Sequence, residues 1–193
     1  MTRANGSTRT GNGRAPSGVS LAEMSRRLER IEPRELSFAE VDDYGEKTCR
    51  ICLGAEYYNA FAGLSREIRV TRGPEGCLVL VASEIWQEYL ATIGKYAARL
   101  GCELLVLELE REFGHERLGA RGRVRIPRNL AQEAGLKDKV KVFHVGGVIE
   151  LWDPEMYRQH RKEAYAAFRD RRFSATGNKR KPAETPPAEA CKP

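Results

Sequence analysis

The chain has 193 residues, of which 41% are hydrophobic and 31% charged, and its formal net charge is +6. This length suits one domain of about 100–150 residues with extensions, or two small halves. No apolar run approaches the roughly 18 residues of a membrane span, and the N-terminus lacks the apolar segment of a secretory signal, so a cytoplasmic protein without a membrane partner is expected.

The positive charge is concentrated at the two ends of the chain. Residues 1–34 carry a balance of +4 and residues 155–193 a balance of +5, whereas residues 35–154 carry −3. Basic ends can hold a protein near nucleic acid without sequence choice, through contacts that weaken as salt rises. The alternative is that they only keep the protein soluble.

The N-terminal part is predicted to be a disordered basic tail followed by one helix. Residues 1–18 are mostly Gly, Ser, Thr, Asn and Arg, a composition that cannot form a core. The helix belongs to residues 19–33 and begins with a capping box, in which Ser20 accepts from the Glu23 amide and the Glu23 side chain returns to the Ser20 amide. It is expected to run for about three turns to Ile31, before a proline.

The middle of the chain contains one pattern twice, in residues 49–89 and residues 122–160. Each copy predicts a strand, a short helix, a strand, a hairpin, a strand and a longer helix, with hairpin turns at Gly73-Pro74-Glu75-Gly76 and Gly146-Gly147. The matching positions include Arg50 with Arg123, Ala62-Gly63-Leu64 with Ala134-Gly135-Leu136, Val70 with Val142, and Leu78–Leu80 with Ile149–Leu151. A unit of this size is too small to bury its own core, so the two copies are expected to pack face to face about a pseudo-twofold axis.

The helices that close the two copies have different signals. The second begins with Asp153 as N-cap and Pro154 at its first position. The helix that closes the first copy has an apolar stripe along one face, which indicates packing against the core. Trp86 and Trp152 are also expected to be core residues. The stripe consists of Ile85, Tyr89, Ile93, Tyr96 and Leu100. Residues 103–116 fit a strand and a helix equally, and the final residues, 173–193, are Pro-rich and charged and are predicted to be a second disordered basic tail.

The stretch GARGRVRIPRNL, residues 119–130, concentrates positive charge at the start of a strand. It holds Arg121, Arg123, Arg125 and Arg128 and no acidic residue. Basic and apolar residues alternate from Arg123 to Ile126, which indicates a strand with one buried face. Three interpretations are open from the residues: a solvated edge strand, a phosphate-binding loop, or a surface that reads nucleic acid.

No motif supports catalysis, a cofactor or a metal. Cys49 and Cys52 have the C-x-x-C spacing, but a zinc site needs a second pair of ligands and the three histidines have no such spacing. The cysteines are therefore interpreted as small hydrophobic residues rather than as zinc ligands or a redox pair. Nothing in the sequence resembles the phosphate loop of nucleotide-binding enzymes, a nucleophile elbow or an H-E-x-x-H helix, which predicts a protein that is not an enzyme.

The chain resembles the bacterial MraZ family over about residues 35–165, and the second copy carries the close resemblance. The motifs that carry the resemblance are GRVRIP, AGL and VKVFHVGGVIELWDPEMY. This resemblance implies an α+β fold in which two tandem pseudo-symmetric units, residues 35–100 and 101–172, form the swapped-hairpin β-barrel shared with AbrB regulators, with flanking helices. It also implies a nucleoid-associated transcriptional regulator that assembles into homo-oligomeric rings and binds tandem short repeats in promoter DNA upstream of the division and cell-wall gene cluster.

The family's Asp-x-x-Gly-Arg motif assigns DNA binding to Arg50 and Arg123, and their neighbours Arg121 and Arg125 are added to the site. The chain departs from that motif in both copies. In the second copy, Gly119 stands where the family has Asp. In the first copy, extra residues separate the acidic pair from Arg50, and Cys49 and Gly54 replace the family's Gly and Pro. The alternative function is therefore a ring-forming protein-interaction module that has lost sequence-specific DNA binding.

Overall fold

The structure is a computed structural model that describes residues 18–43, 46–111 and 113–175. Apart from Gly18 and residues 173–175, the predicted tails lie outside the described residues. The pattern of contacts divides the chain into two compact units, of which the first ends at Tyr157 and the second begins at Arg158. Among the described helices, none combines the length and the apolar character that crossing a membrane requires.

Along the chain, the helices of the described residues precede, separate and follow the strands. They are α1 (Leu21–Leu28), α2 (Ala55–Ala60), α3 (Trp86–Leu100), α4 (Leu104–Arg111), α5 (Arg128–Glu133) and α6 (Pro154–Ala175). The N-cap of α1 is Ser20, whose hydroxyl accepts from the Glu23 amide at 3.2 Å, which confirms this half of the predicted capping box. The Glu23 carboxylate pairs instead with Arg26 and Arg27, at 2.8 and 3.0 Å, which corrects the other half. The carboxylate of Asp153 caps α6 by accepting from the amides of Glu155 and Met156 at 2.9 and 3.1 Å, which confirms that prediction.

The described strands form one antiparallel sheet of eight strands. They are β1 (Arg34–Asp43), β2 (Glu46–Cys52), β3 (Glu67–Arg72), β4 (Leu78–Ala82), β5 (Phe113–Arg117), β6 (Arg123–Ile126), β7 (Lys139–Val145) and β8 (Val148–Trp152). Their order in the sheet is β5-β3-β4-β8-β7-β1-β2-β6. The predicted succession of strand, short helix, strand, hairpin, strand and longer helix is thus observed twice, from β2 to α3 and from β6 to α6.

The sheet curls into a nearly closed barrel because its two end strands, β5 and β6, come together. A short turn of 3-10 helix, Ala120–Gly122, joins them, and the Gly119 amide donates to the Arg123 carbonyl at 2.8 Å. Farther along, the α-carbon of Gly114 lies against the ring of Pro127 so closely that a Cβ at residue 114 would lie 2.6 Å from its Cγ. Closure removes the exposed edges that an open sheet would present.

The interior of the barrel is filled by side chains from both copies of the pattern. Buried residues at most 2% exposed come from six of the strands and include Ile51, Val70, Leu80, Val124, Val142 and Leu151. The copies do not pack face to face as separate bodies, because β2 pairs with β6 and β4 pairs with β8. The strands of the two copies therefore share one sheet, which corrects the expectation of two units packed face to face. The physical reason is that this pairing gives hydrogen-bond partners to backbone N–H and C=O groups that two separate small units would leave unpaired at their sheet edges.

Equivalent positions of the two copies make equivalent contacts. Val79 pairs with Glu150, and Ile51 pairs with Val124, which are the residues that occupy the same places in the aligned copies. Before each copy comes a further strand, and before that strand a helix: α1 and β1 for the first, α4 and β5 for the second. Two amides of these segments make similar hydrogen bonds, each at 2.8 Å: the Phe38 amide within β1 donates to the Asp138 carbonyl, and the Leu118 amide just after β5 donates to the Arg66 carbonyl.

Three sequence predictions are changed by the structure. Helix α1 ends at Leu28 rather than Ile31, because the Ile31 amide donates to the Leu28 carbonyl in a tighter turn that buries the Ile31 side chain. The segment 103–116 is divided between α4 and β5, so neither a helix nor a strand describes all of it. In the stripe of α3, Tyr96 and Leu100 are 60% and 76% exposed, because the barrel covers only the first part of that helix.

The approach of Gly122 to Gly54 generates a test of the closure. A Cβ at Gly122, which has φ +72°, would lie 2.2 Å from the Gly54 carbonyl oxygen. We expect Gly122→Ala to lower the free energy of unfolding by more than about 3 kcal/mol, since it adds a backbone clash to a left-handed strain of about 1–3 kcal/mol. Urea denaturation followed by circular dichroism measures the change.

Gly101→Ala is the matched control. Gly101 also has a positive φ, +68°, but nothing lies within 4 Å of the Cβ that would be added. This control isolates the cost of the backbone conformation. If the two variants are destabilised equally, Gly122 is not needed for close approach.

Candidate nucleic-acid interface

Strands β2 and β6 form a two-stranded ribbon whose outer face is basic. Arg50 pairs with Arg125 and Cys52 with Arg123, and all four residues are exposed. Residues between them, such as Ile51, point into the barrel, because successive side chains of a strand alternate between its faces. The same alternation that fills the core therefore lines up three arginines on the outside.

These arginines border a cavity of about 400 Å³, the arginine groove. Its lining consists of Arg50, Glu116, Arg117, Gly119, Ala120, Arg123, Val124 and Arg125. Three of the four predicted site residues, Arg50, Arg123 and Arg125, are thus brought together from two distant parts of the chain. Arg121 is exposed on the adjacent turn and is not part of this lining.

The turn that carries Arg121 has an unusual backbone. Arg121 has φ +63°, in the left-handed region that costs a residue with a side chain about 1–3 kcal/mol. Two hydrogen bonds from the end of β2 hold the turn. The Leu53 amide donates to the Gly122 carbonyl at 2.9 Å, and the Cys52 thiol donates to the Arg121 carbonyl at 3.3 Å. Such backbone strain is common at binding sites, and here it lies next to the arginine groove.

Sequence reasoning missed the acidic residue of the groove. The carboxylate of Glu116 on β5 lies 3.4 Å from Nε of Arg125 and forms an ion pair with it. Burial raises the pKa of the Glu116 carboxyl, and the neighbouring Arg125 charge and hydrogen bond oppose that rise. The signal available in the sequence was the alternation of FGHER, residues 113–117, which was ambiguous between strand and helix.

The basic character of the groove is only partly neutralised by this acid. In the part of the chain that the structure describes, Arg117 and Arg123 make no ion pair. Arg117 is exposed at the end of β5 and was not among the four predicted site residues. A cluster of exposed guanidinium groups suits phosphate oxygens and the acceptor edge of guanine.

The two cysteines of the C-x-x-C pair lie on opposite faces of β2. Cys49 is buried and Cys52 is exposed, because residues three apart on a strand face opposite sides. Across the described residues, no group of three or more His, Cys, Asp or Glu side chains could hold a metal ion.

Comparison with known proteins identifies the relatives of the chain. It is 31% identical to the "Transcriptional regulator MraZ" of Mycoplasma capricolum, over 59% of this chain and 85% of that protein. Proteins of the same name from Treponema denticola and Burkholderia cenocepacia are each 27% identical, covering 51% and 61% of this chain and 70% and 82% of theirs. No protein-family model matches the chain.

The opposite exposure of Cys49 and Cys52 predicts different thiol reactivity. In a variant with Cys102 and Cys191 changed to serine, we expect a maleimide to label Cys52 in the native protein. Cys49 and Cys77 should react only after unfolding, since both are buried and burial raises the pKa of the Cys77 thiol. Mass spectrometry of labelled peptides measures this, and native labelling of Cys49 would contradict the assigned faces of β2.

Proposed function

The chain belongs to the MraZ family, and we propose from this premise that it is a DNA-binding transcriptional regulator and not an enzyme. The observation that carries the proposal is the arginine groove, where Arg50, Arg123 and Arg125 meet on one ribbon. Arg121 on the neighbouring turn completes the proposed DNA-binding set. The site of action is the cytoplasm, in association with the nucleoid.

The shape of the ribbon supports contact with the major groove of DNA. That groove is about 12 Å wide and admits a two-stranded β-ribbon, whose outward side chains then meet base edges. An arginine fork can bond O6 and N7 of guanine at once, while neighbouring arginines bind phosphates and fix the register. Arg123 and Arg125, two residues apart on β6, project from the same face of that strand and suit these two roles.

The proposed DNA target is a set of tandem short repeats upstream of the division and cell-wall gene cluster, as the family resemblance implies. One groove supplies few base contacts, so a single copy of the chain binds weakly. Several copies held in a ring engage several repeats at once, and the second and later contacts then benefit from a high effective concentration.

The swapped-hairpin arrangement belongs to the same proposal. Two tandem units, residues 35–100 and 101–172, exchange strands so that each contributes one side of the β2–β6 ribbon. The pairing of Val79 with Glu150 and of Ile51 with Val124 supports this division, because a twofold axis between the halves would bring equivalent residues opposite each other.

An exposed apolar strip supports assembly of several chains. It consists of Tyr96, Leu100, Leu104 and Leu107, which are 47–76% exposed around the corner between α3 and α4. Basic Lys95 and Arg99 lie on the α3 side of the strip and acidic Glu103 and Glu108 on the α4 side. Two copies can therefore cover their apolar residues and pair opposite charges in one contact.

A second candidate function, a ring-forming interaction module without operator recognition, is favoured by one observation. Cys52 occupies the outward position of β2 that corresponds to Arg125 of β6, so the first half lacks one arginine that the second half has. In this alternative the apolar strip, rather than the arginine groove, is the functional surface.

The arginine groove predicts unequal effects of alanine substitutions. We expect Arg123→Ala to weaken binding to the preferred DNA site by about 1–3 kcal/mol and to relax sequence preference. Arg50→Ala should have a smaller effect, since the first copy has Cys49 and Gly54 where the second copy has Gly122 and Pro127. Fluorescence anisotropy with a preferred site selected from random duplexes, and with a scrambled duplex, measures both quantities.

Arg128→Ala is the control for general charge. Arg128 is the first residue of α5 and lies outside the lining of the arginine groove, so its loss should weaken binding slightly and equally for all sequences. Thermal unfolding should change little for Arg123→Ala, because an exposed arginine contributes little to stability. Unchanged DNA binding after substitution of both Arg50 and Arg123 would leave the interaction module as the better account.

The apolar strip predicts how the chain assembles. We expect multi-angle light scattering to give a mass several times the 21.7 kDa of one chain, and the double variant Leu100→Ser, Leu104→Ser to lower it. Val145→Ser, which changes a residue 57% exposed on another part of the barrel, should leave the mass unchanged. A monomer at every concentration of the unmodified protein would refute assembly, and an unchanged mass of the double variant would refute the role of the strip.

A further inference from the structure

Glu116 is the feature of the arginine groove that general attraction to DNA does not explain. Within the described residues, the lining of the groove has four arginines and this one acid. A carboxylate at a DNA surface repels phosphates and neutralises part of the charge that attracts them. A function in DNA binding must therefore come from its effect on a neighbouring side chain.

The two partners of the ion pair differ in burial. The Glu116 side chain is 14% exposed, whereas that of Arg125 is 51% exposed. Glu116 pairs across the sheet with Ile68, which is 1% exposed, so the acid emerges from the core-facing side of β5 at the seam of the barrel. The anchored partner is the acid, and the partner whose position it restricts is the arginine.

We propose that Glu116 is a positioning residue that holds the Arg125 guanidinium in the orientation for reading a base edge. This inference rests on the proposed DNA binding. An unrestrained arginine loses side-chain entropy when it bonds a base, and a restrained one has less to lose. The planar guanidinium also needs a defined plane to meet two acceptors on one base.

Glu116 has a second consequence for the ribbon. Arg50 and Arg125 are direct cross-strand partners, and like charges in that position repel each other. The carboxylate next to Arg125 offsets this repulsion. The two arginines can thus be packed closely at the centre of the ribbon, and Arg117 and Arg123 beside them keep their full positive charge for contact with DNA.

The test is Glu116→Gln in the full-length protein, which removes the charge and keeps the size of the side chain. Binding is measured for the selected preferred duplex and for a scrambled duplex of equal length over a series of KCl concentrations. We expect the affinity for the scrambled duplex to rise and its log–log salt slope to steepen by up to about 0.9, since one more positive charge is available to phosphates. The ratio of preferred to scrambled affinity should fall about tenfold, because Arg125 is no longer oriented.

Two controls separate positioning from charge and from folding. Glu133→Gln makes the same charge change at an exposed residue of α5 that lies outside the lining of the arginine groove, and it should leave the ratio unchanged. In an Arg125→Ala background, Glu116→Gln should have no further effect on the ratio. Burial raises the pKa of the Glu116 carboxyl, so the neutral glutamine is compatible with the fold, and thermal unfolding verifies this.

The outcomes distinguish this inference from the proposed function. If Glu116→Gln leaves the ratio unchanged while Arg123→Ala lowers it, the positioning role is refuted and the DNA-binding proposal stands. If the unmodified protein prefers no sequence, both fail. A measurement without DNA adds a direct check: hydrogen exchange of the Arg125 Nε–H should be faster in Glu116→Gln, and an unchanged rate would refute the restraint.

Discussion

The close backbone approach of Gly54 and Gly122 is the constraint on which the rest of the barrel depends. The α-carbon of Gly122 lies so near the Gly54 peptide that no side chain fits between them, and the Leu53 amide donates to the Gly122 carbonyl. This approach sets where β2 ends against the start of β6. Because side chains on strands alternate, a shift of one residue there would turn the arginines inward and the core residues outward.

The near-symmetry of the two halves explains why residues far apart in the chain share one surface. Arg50 and Arg123 occupy matching places in their copies, and the pairing of Ile51 with Val124 brings those places to the same ribbon. The symmetry is incomplete, because Cys52 stands where Arg125 would be expected. If the ribbon reads DNA, an arginine at one end and a cysteine at the other therefore face the duplex, so the two orientations of the protein on a DNA site are not equivalent.

Sequence reasoning was most successful where the signal is local. The Ser20 cap of α1, the Asp153 cap of α6 and the turn at Gly146-Gly147 depend on neighbouring residues alone, and all are observed. Strand β1 was not predicted, and β5 was left open between strand and helix, since the partners of both strands are distant and their burial follows from the barrel. The exposure of Tyr96 has the same origin: the periodicity of α3 indicates a face, but the length of that face that the barrel covers depends on tertiary structure.

The candidate site shows the same division between local and distant information. The basic alternation of β6 was visible in the sequence, and so was the equivalence of Arg50 and Arg123. Glu116 was not identified, because its ion pair with Arg125 exists only when β5 and β6 close the barrel.

The net charge of the middle of the chain was a poor guide to its binding surface. Residues 35–154 carry a balance of −3, yet the groove within them has four arginines and one acid. The potential at a groove depends on the charges that line it, so an acidic domain with basic ends can still present a basic surface to DNA.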